Sequence, residues 1–373
     1  MAHDEDDEQR GDEILGFDRK RALITVGVAF VLAFGALALI GQGQSFGKAI
    51  DAFRQANKWW FVGLFAGQIL TYGGYSWGYR TIARACGGPR LPYRWTLQLT
   101  FVSFGAYVLA SSAGGLGVDL WAVNRAGEEI HVAGRRILAF NILEWAILAA
   151  FACLAAVAVL AGAGHMAPFA MSIGWLAVVA AAVAAGLWIS SPSRRGRYEK
   201  LPVGEEPDDP GWLSTERVVW LWVKAKKGFA DSIGALGFMR MLLSHPVRYG
   251  GAPLGFAIYW IGDLVTLYSG IRALGGEIGG ADLVLAYATG YVVTSAPLPA
   301  GAAGFAEATT AYALHAVGLG LGTAIFAVFL YRAFTFWLPL IPAGITLPRV
   351  RKLNDRLPDV ERDPDPPCRL ELD

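Results

Sequence analysis

Residues 294–308 read TSAPLPAGAAGFAEA. Pro297, Pro299, Gly301 and Gly304 interrupt a chain that is apolar on both sides, ADLVLAYATGYVV before and TTAYALHAVGLGLGTAIFAVFLYRAFTFWLPLIPAG after. Glu307 follows the interruption. A carboxylate behind a broken helix, inside a region this apolar, needs a reason. The composition sets the scale: 373 residues, 54% hydrophobic and 17% charged, with mean hydropathy +0.41. The charged share lies below the roughly 25% of a soluble domain. Apolar runs near the ~20 residues that a bilayer core requires recur along the chain. It reads as an all-α polytopic membrane protein. A net charge of +1 gives no ground for nucleic acid as a partner. Cys86, Cys153 and Cys368 lack metal-ligand spacing and read as small apolar residues or an incidental tail thiol. No metal and no cofactor is expected.

Six full spans are expected, at about 22–40, 59–80, 137–163, 168–190, 249–270 and 320–344. Trp59 and Trp60 open the second as an interface anchor, and the general Trp and Tyr enrichment reads as an aromatic belt. Amphipathic stretches at 45–58 and 216–243 read as surface helices. The excess of Lys and Arg places 19–21, 84–94, 125–136, 194–227 and 349–352 in the cytoplasm. Segment 95–124 then begins and ends on the cytoplasmic side, so it must dip in, turn at SSAGGLG and return. Segment 281–316 must do the same from the outer side, turning at PLPAGAAG.

The expected organisation is an acidic disordered tail (1–21) and a first membrane half (22–190) with hairpin 95–124. A basic cytoplasmic loop and amphipathic helix follow (191–246). The second membrane half (247–348) carries hairpin 281–316, and a cytoplasmic tail closes the chain (349–373). Both termini are expected in the cytoplasm, with the protein in the cell inner membrane.

The two interruptions are alike. FGAYVLASSAGGLGVDLW carries Gly114, Gly117 and Asp119; TGYVVTSAPLPAGAAGFAEA carries Gly301, Gly304 and Glu307. Similar breaks in opposite orientation are the pattern of an inverted repeat, and in transporters such breaks point to the binding site. Helix N-termini near mid-membrane offer free N–H groups and a positive dipole end to an anion. Each intramembrane charge is costly and needs a reason. Arg332 is expected to pair with Glu307, to contact an anionic headgroup, or both. Arg125 reads equally as a headgroup contact or a topology signal. Asp263 and Glu144 read as gating or proton-coupling carboxylates, or as bonds to neighbouring helices. Pro297 and Pro299 set the second break.

SSAGGLGVDLWAVNRAGE, PLPAGAAGFAEA and YRAFTFWLPLIPAG together resemble the lysylphosphatidylglycerol synthase transmembrane region, a flippase-like domain family, over most of residues 20–350. Family members show a P-x-P-G-G-x-G-x-x-E stretch, met here by Pro297, Pro299, Gly301, Gly304 and Glu307. An arginine-bearing span ending in W-x-P-x-x-x-G follows, met roughly by Arg332, Trp337, Pro339 and Gly344. Ala300, Ala302 and Ala303 depart from the glycine-rich pattern, and Asn124–Glu128 match the first-hairpin G-R-x-G-E pattern only loosely. The resemblance implies movement of an anionic phospholipid or polyprenyl-phosphate-type lipid between leaflets. The soluble aminoacyl-transferase domain that some members carry has no counterpart after residue 350, so a transporter is favoured over an enzyme. Two other readings stay open: an intramembrane headgroup transferase with Glu307 as base, and a non-transporting partner of a lipid-modifying enzyme.

Overall fold

A computed structural model describes residues 54–164, 167–189, 217–295 and 304–364, with Gly27, Val31 and Gly35 as isolated helical positions; at 109–113, 217–230 and Ser295 it describes backbone alone. Most of span 22–40, both chain ends, Pro297, Pro299 and Gly301 lie outside the described residues. Among the described residues, and apart from the single turn Pro246–Tyr249, ten helices carry the architecture: α1 (Trp60–Arg84), α2 (Tyr93–Arg125), α3 (Ile130–Leu160), α4 (Phe169–Ile189), α5 (Arg217–Ser244), α6 (Gly251–Ala273), α7 (Gly280–Tyr291), α8 (Phe305–Ala316), α9 (Leu321–Arg332) and α10 (Leu340–Arg351). A π-helical turn, Ala333–Trp337, joins the last two.

Among the described residues four stretches are long and apolar enough to cross a membrane: α3, α4, α6 and the continuous run Leu321–Arg351. The chain is therefore a multi-pass membrane protein. Helix α3 starts at Ile130, earlier than the expected 137, because Arg136 is accommodated inside it. Its guanidinium lies 3.4 Å from Glu128 and donates to the Ala85 carbonyl at the end of α1. Helix α4 turns nearly all its surface outward, with Ser172 as its buried residue. Helix α1 is not among the four apolar stretches, because glycine and hydroxyl residues dilute it, and it packs instead against α6.

That packing is the centre of the fold. A Cβ added at Gly67 would lie 2.6 Å from the Gly262 carbonyl; one at Gly74 would lie 2.5 Å from the Gly255 carbonyl. The reciprocal positions are as tight, Gly255 against the Gly74 carbonyl at 2.7 Å and Gly262 against that of Gly67 at 2.5 Å. The helices run antiparallel with backbone on backbone, the close approach that small residues permit inside a membrane. Gln68 Nε2 donates to Thr266 Oγ1 across the contact at 3.1 Å.

Helix α2 is not straight. Ser103 Oγ donates to the Gly115 carbonyl at 2.9 Å and to Asp119 Oδ2 at 3.2 Å. A straight helix, rising 1.5 Å per residue, would hold residues 103 and 119 about 24 Å apart. The chain therefore doubles back between Tyr107 and Gly115. The sequence reading expected the helix to be interrupted at SSAGGLG; instead the residues on both sides of the reversal stay helical. Helices α7 and α8 form a second fold-back, in which Thr309 Oγ1 donates to the Gly290 carbonyl at 3.1 Å. Gly304 starts α8 at φ +88°, a left-handed conformation suited to glycine. Its N–H donates to Glu307 Oε2 at 2.6 Å, so the carboxylate folds over the helix start.

Residues 353–363, expected to be part of a polar tail, form a strap across the ends of α1, α2 and α3. The Arg90 N–H donates to the Glu361 carbonyl at 2.8 Å and that of Asp363 to the Gly88 carbonyl at 2.9 Å. Arg362 donates to the Gly127 carbonyl and lies 3.4 Å from Glu128. Leu353 and Leu357 are buried beneath the strap. Removing residues 353–373 exposes their pocket, at about 1.5–3 kcal/mol per leucine, which exceeds what the exposed ion pairs contribute. A lowered thermal midpoint in detergent is expected; an unchanged midpoint would show the strap to be energetically idle. Cys86, beside the strap, is disulfide-bonded rather than simple packing, and Cys153 is free.

Candidate functional site: a cavity between the fold-backs

A cavity of about 190 Å³ lies where α1, α2, α3, α6, α7, α9 and the π-helical turn meet. A liquid water occupies about 30 Å³, so the space is of the size of a small polar headgroup. Glu144, Asp263 and Arg332 line it, each near the middle of a membrane-long helical stretch. Three ionisable groups at that depth are the costly kind that mark substrate or ion pathways.

Arg332 ends α9 and is 8% exposed. Its Nε lies 2.9 Å from Glu307 Oε1, and its guanidinium carbon 5.2 Å from the Phe336 ring centre. The contact with Oε1 is a charge contact without hydrogen-bond geometry. The other oxygen of Glu307 is held by the Gly304 N–H. Glu307 thus stands behind the arginine, outside the cavity lining. Among the described residues Arg332 has no further polar partner. The remaining face of its guanidinium fork is suited to a phosphate or carboxylate. The π-helical turn brings Thr335 and Phe336 to the same wall as Arg332. Single π turns recur at functional sites, and the Thr335 hydroxyl is buried without a partner.

Opposite the arginine stand acids and tyrosines. Asp263 Oδ2 accepts from the Tyr331 hydroxyl at 2.7 Å and from that of Tyr287. Tyr259 and Glu144 line the same space, and Trp260 Nε1 donates to the Glu144 carbonyl at 2.8 Å, tying α6 to α3. Asp119 lies one layer behind the wall. Its Oδ2 accepts from Tyr75 at 2.7 Å and from Ser103, and its main-chain carbonyl accepts from Tyr79.

The structure therefore brings together Glu307, Arg332, Asp263 and Glu144, with Gly304 adjoining Glu307. It does not bring Arg125 to them: that side chain lies at the base of the first fold-back and donates to the Asn354 carbonyl at 3.2 Å. Gly114 sits at the reversal. A Cβ on Gly117 would meet nothing within 4 Å; Gly115, which the sequence reading did not single out, is the glycine packed on Ser103 and the cavity. The tyrosines correct the aromatic-belt expectation. Tyr75, Tyr259, Tyr287 and Tyr331 are buried in the middle of the protein. Tyr259 and Asp263, four apart on one helix face, carried the signal: a hydroxyl and an acid sharing a face far from either helix end.

The family model for the lysylphosphatidylglycerol synthase TM region matches residues 24–343. A comparison with curated proteins returned no match.

Proposed function

The chain belongs to the lysylphosphatidylglycerol synthase TM region family, a membrane protein tied to lipid handling, and from that premise we propose that it is a flippase-like transporter. It moves an anionic phospholipid or lipid-linked phosphate between leaflets. The phosphate is held by Arg332 inside the cavity, while the acyl chains stay in the bilayer. The observation that carries this reading is the guanidinium fork at mid-depth, steadied from behind by Glu307 and facing a headgroup-sized space.

An inverted repeat supports it. Contacts of Gly67 with Gly262 and of Gly74 with Gly255 fit a two-fold axis that exchanges α1 and α6. The axis sets Gly67 over Gly255 and Gly74 over Gly262, a constant offset of 188 positions. The same offset sets Asp119 over Glu307 and Glu144 over Arg332. In this reading α2 enters the membrane from the cytoplasmic side and α7–α8 from the outer side of the inner membrane, with both termini cytoplasmic. Rocking of one half on the other then exposes the cavity to each leaflet in turn.

Purified protein in vesicles carrying a fluorescent phosphatidylglycerol provides the test. The labelled lipid is expected to become accessible to a membrane-impermeant quencher faster than in protein-free vesicles. No acceleration, across several phosphate-bearing headgroups, would overturn the proposal.

A further inference from the structure

The offset that relates the two halves exposes a charge asymmetry. In the second half, an acid after the fold-back, Glu307, faces a guanidinium on the following helix, Arg332. In the first half the corresponding acid, Asp119, has Glu144 at the position of the arginine. Glu144 and Asp263 line the same cavity, with Asp119 one layer behind its wall on Tyr75 and Ser103. All four carboxylates are buried: Asp119 0% exposed, Glu307 1%, Asp263 4% and Glu144 8%. Arg332 is the one cation against them at this depth among the described residues.

Were every acid ionised, three negative charges would stay uncompensated in a buried volume, at a cost of several kcal/mol each. A phosphate entering beside Arg332 would add to that charge. One oxygen shows where the compensation goes. Asp119 Oδ1 is buried with no hydrogen-bond partner among the described residues, while Oδ2 accepts two hydroxyls. A proton needs a single oxygen and no coordination shell.

We propose that Asp119 and Glu144 form a proton site, and that a proton taken up there travels with the phosphate headgroup. The inference rests on the headgroup reading above and adds its driving force. Glu144 lines the cavity and takes the proton from cavity water, a carboxylate becoming a carboxylic acid. Tyr75 lines the same cavity as Glu144 and donates to Asp119 at 2.7 Å, so one side chain reaches both the cavity and the acid behind it. The other titratable groups facing them are Tyr72 and Tyr79 from α1, Tyr107 from α2, and Tyr259 and Asp263 from α6. Helix α7 adds Tyr287 and Tyr291, and α9 adds Tyr331 and Arg332, with Glu307 behind. Binding linkage makes the coupling reciprocal: whatever factor the proton adds to phosphate affinity, phosphate adds to proton affinity.

The experiment uses the same vesicles with an imposed pH gradient and the same phosphatidylglycerol probe. One proton per lipid and a gradient of one pH unit, 1.36 kcal/mol, shift the equilibrium distribution of the probe between leaflets about tenfold. A protonophore is expected to restore an even distribution. Glu144→Gln and, separately, Asp119→Asn are expected to abolish the asymmetry, and Glu144→Asp to restore it. Size-exclusion profiles would confirm that each variant is folded. Wild-type protein that moves the probe yet leaves it evenly distributed under the gradient would overturn the inference while sparing the headgroup reading. Asymmetry that follows a sodium gradient instead, or that survives in both substituted proteins, would overturn it too. Absence of any movement, with or without a gradient, is the failure of the headgroup reading.

Discussion

Arg332→Leu is expected to bring lipid movement in the vesicle assay to the protein-free rate and to destabilise the protein by roughly 3–5 kcal/mol, the cost of stranding a buried partner charge. The two losses have different causes and can be separated. The stability loss comes from Glu307, which is 1% exposed and keeps only the Gly304 N–H once the guanidinium is gone. Neutralising it in the double variant Arg332→Leu/Glu307→Gln is expected to recover most of the stability, since an amide oxygen can still accept from Gly304. The transport loss comes from the missing fork and is not recovered. A double variant that is stable and still moves lipid would remove the arginine from the mechanism. Glu307→Gln alone is expected to be milder on stability, because arginine retains the Phe336 ring and access to the cavity.

The second large effect is at the helix crossing. Gly74→Leu places a side chain where a Cβ alone would lie 2.5 Å from both the Gly255 carbonyl and the Tyr259 nitrogen. These neighbours are backbone and cannot rotate away, so α1 and α6 must separate. The cost reaches or passes the upper end of the roughly 1–3 kcal/mol usual for overpacking. Separation also breaks the wall of the cavity, because Tyr75 and Tyr259 flank the contact. Monodisperse protein in detergent is expected to be lost. Gly73→Leu is the control: it is the same change one position along, where a Cβ would find only the Tyr93 hydroxyl at 3.7 Å. Equal damage at both positions would mean that helix propensity or hydropathy, and not the crossing, governs the effect.

Much of this was legible because charge and proline are expensive in a bilayer. A single arginine inside VFLYRAFTF demanded a partner, and Glu307 was the acid within reach. Charge balance along the chain set limits of 95–124 and 281–316, close to helix Tyr93–Arg125 and to the outer ends of helices Gly280–Tyr291 and Phe305–Ala316. The crossing was not legible. Gly67 and Gly74 look like ordinary membrane-helix glycines until they are set against Gly255 and Gly262, nearly half the chain away. The tyrosines were missed for a related reason: their hydroxyls are satisfied by acids on other helices, Tyr75 by Asp119 and Tyr287 by Asp263, so nothing local distinguishes them from interface residues. Arg125 read equally as a headgroup contact or a topology signal and Arg136 fell in the same basic segment, so only the folded neighbours separate them. One binds the strap, while the other is buried on the end of α1.

The strap makes the chain mechanically circular. The final helix does not end free; through Glu361, Arg362 and Asp363 it is fastened to the loop before the first fold-back and to the loop after it. A load applied to the strap, by a fused protein or a tethering surface, is passed through these contacts to the entrance and exit of α2. The tail is thus a handle on the first fold-back.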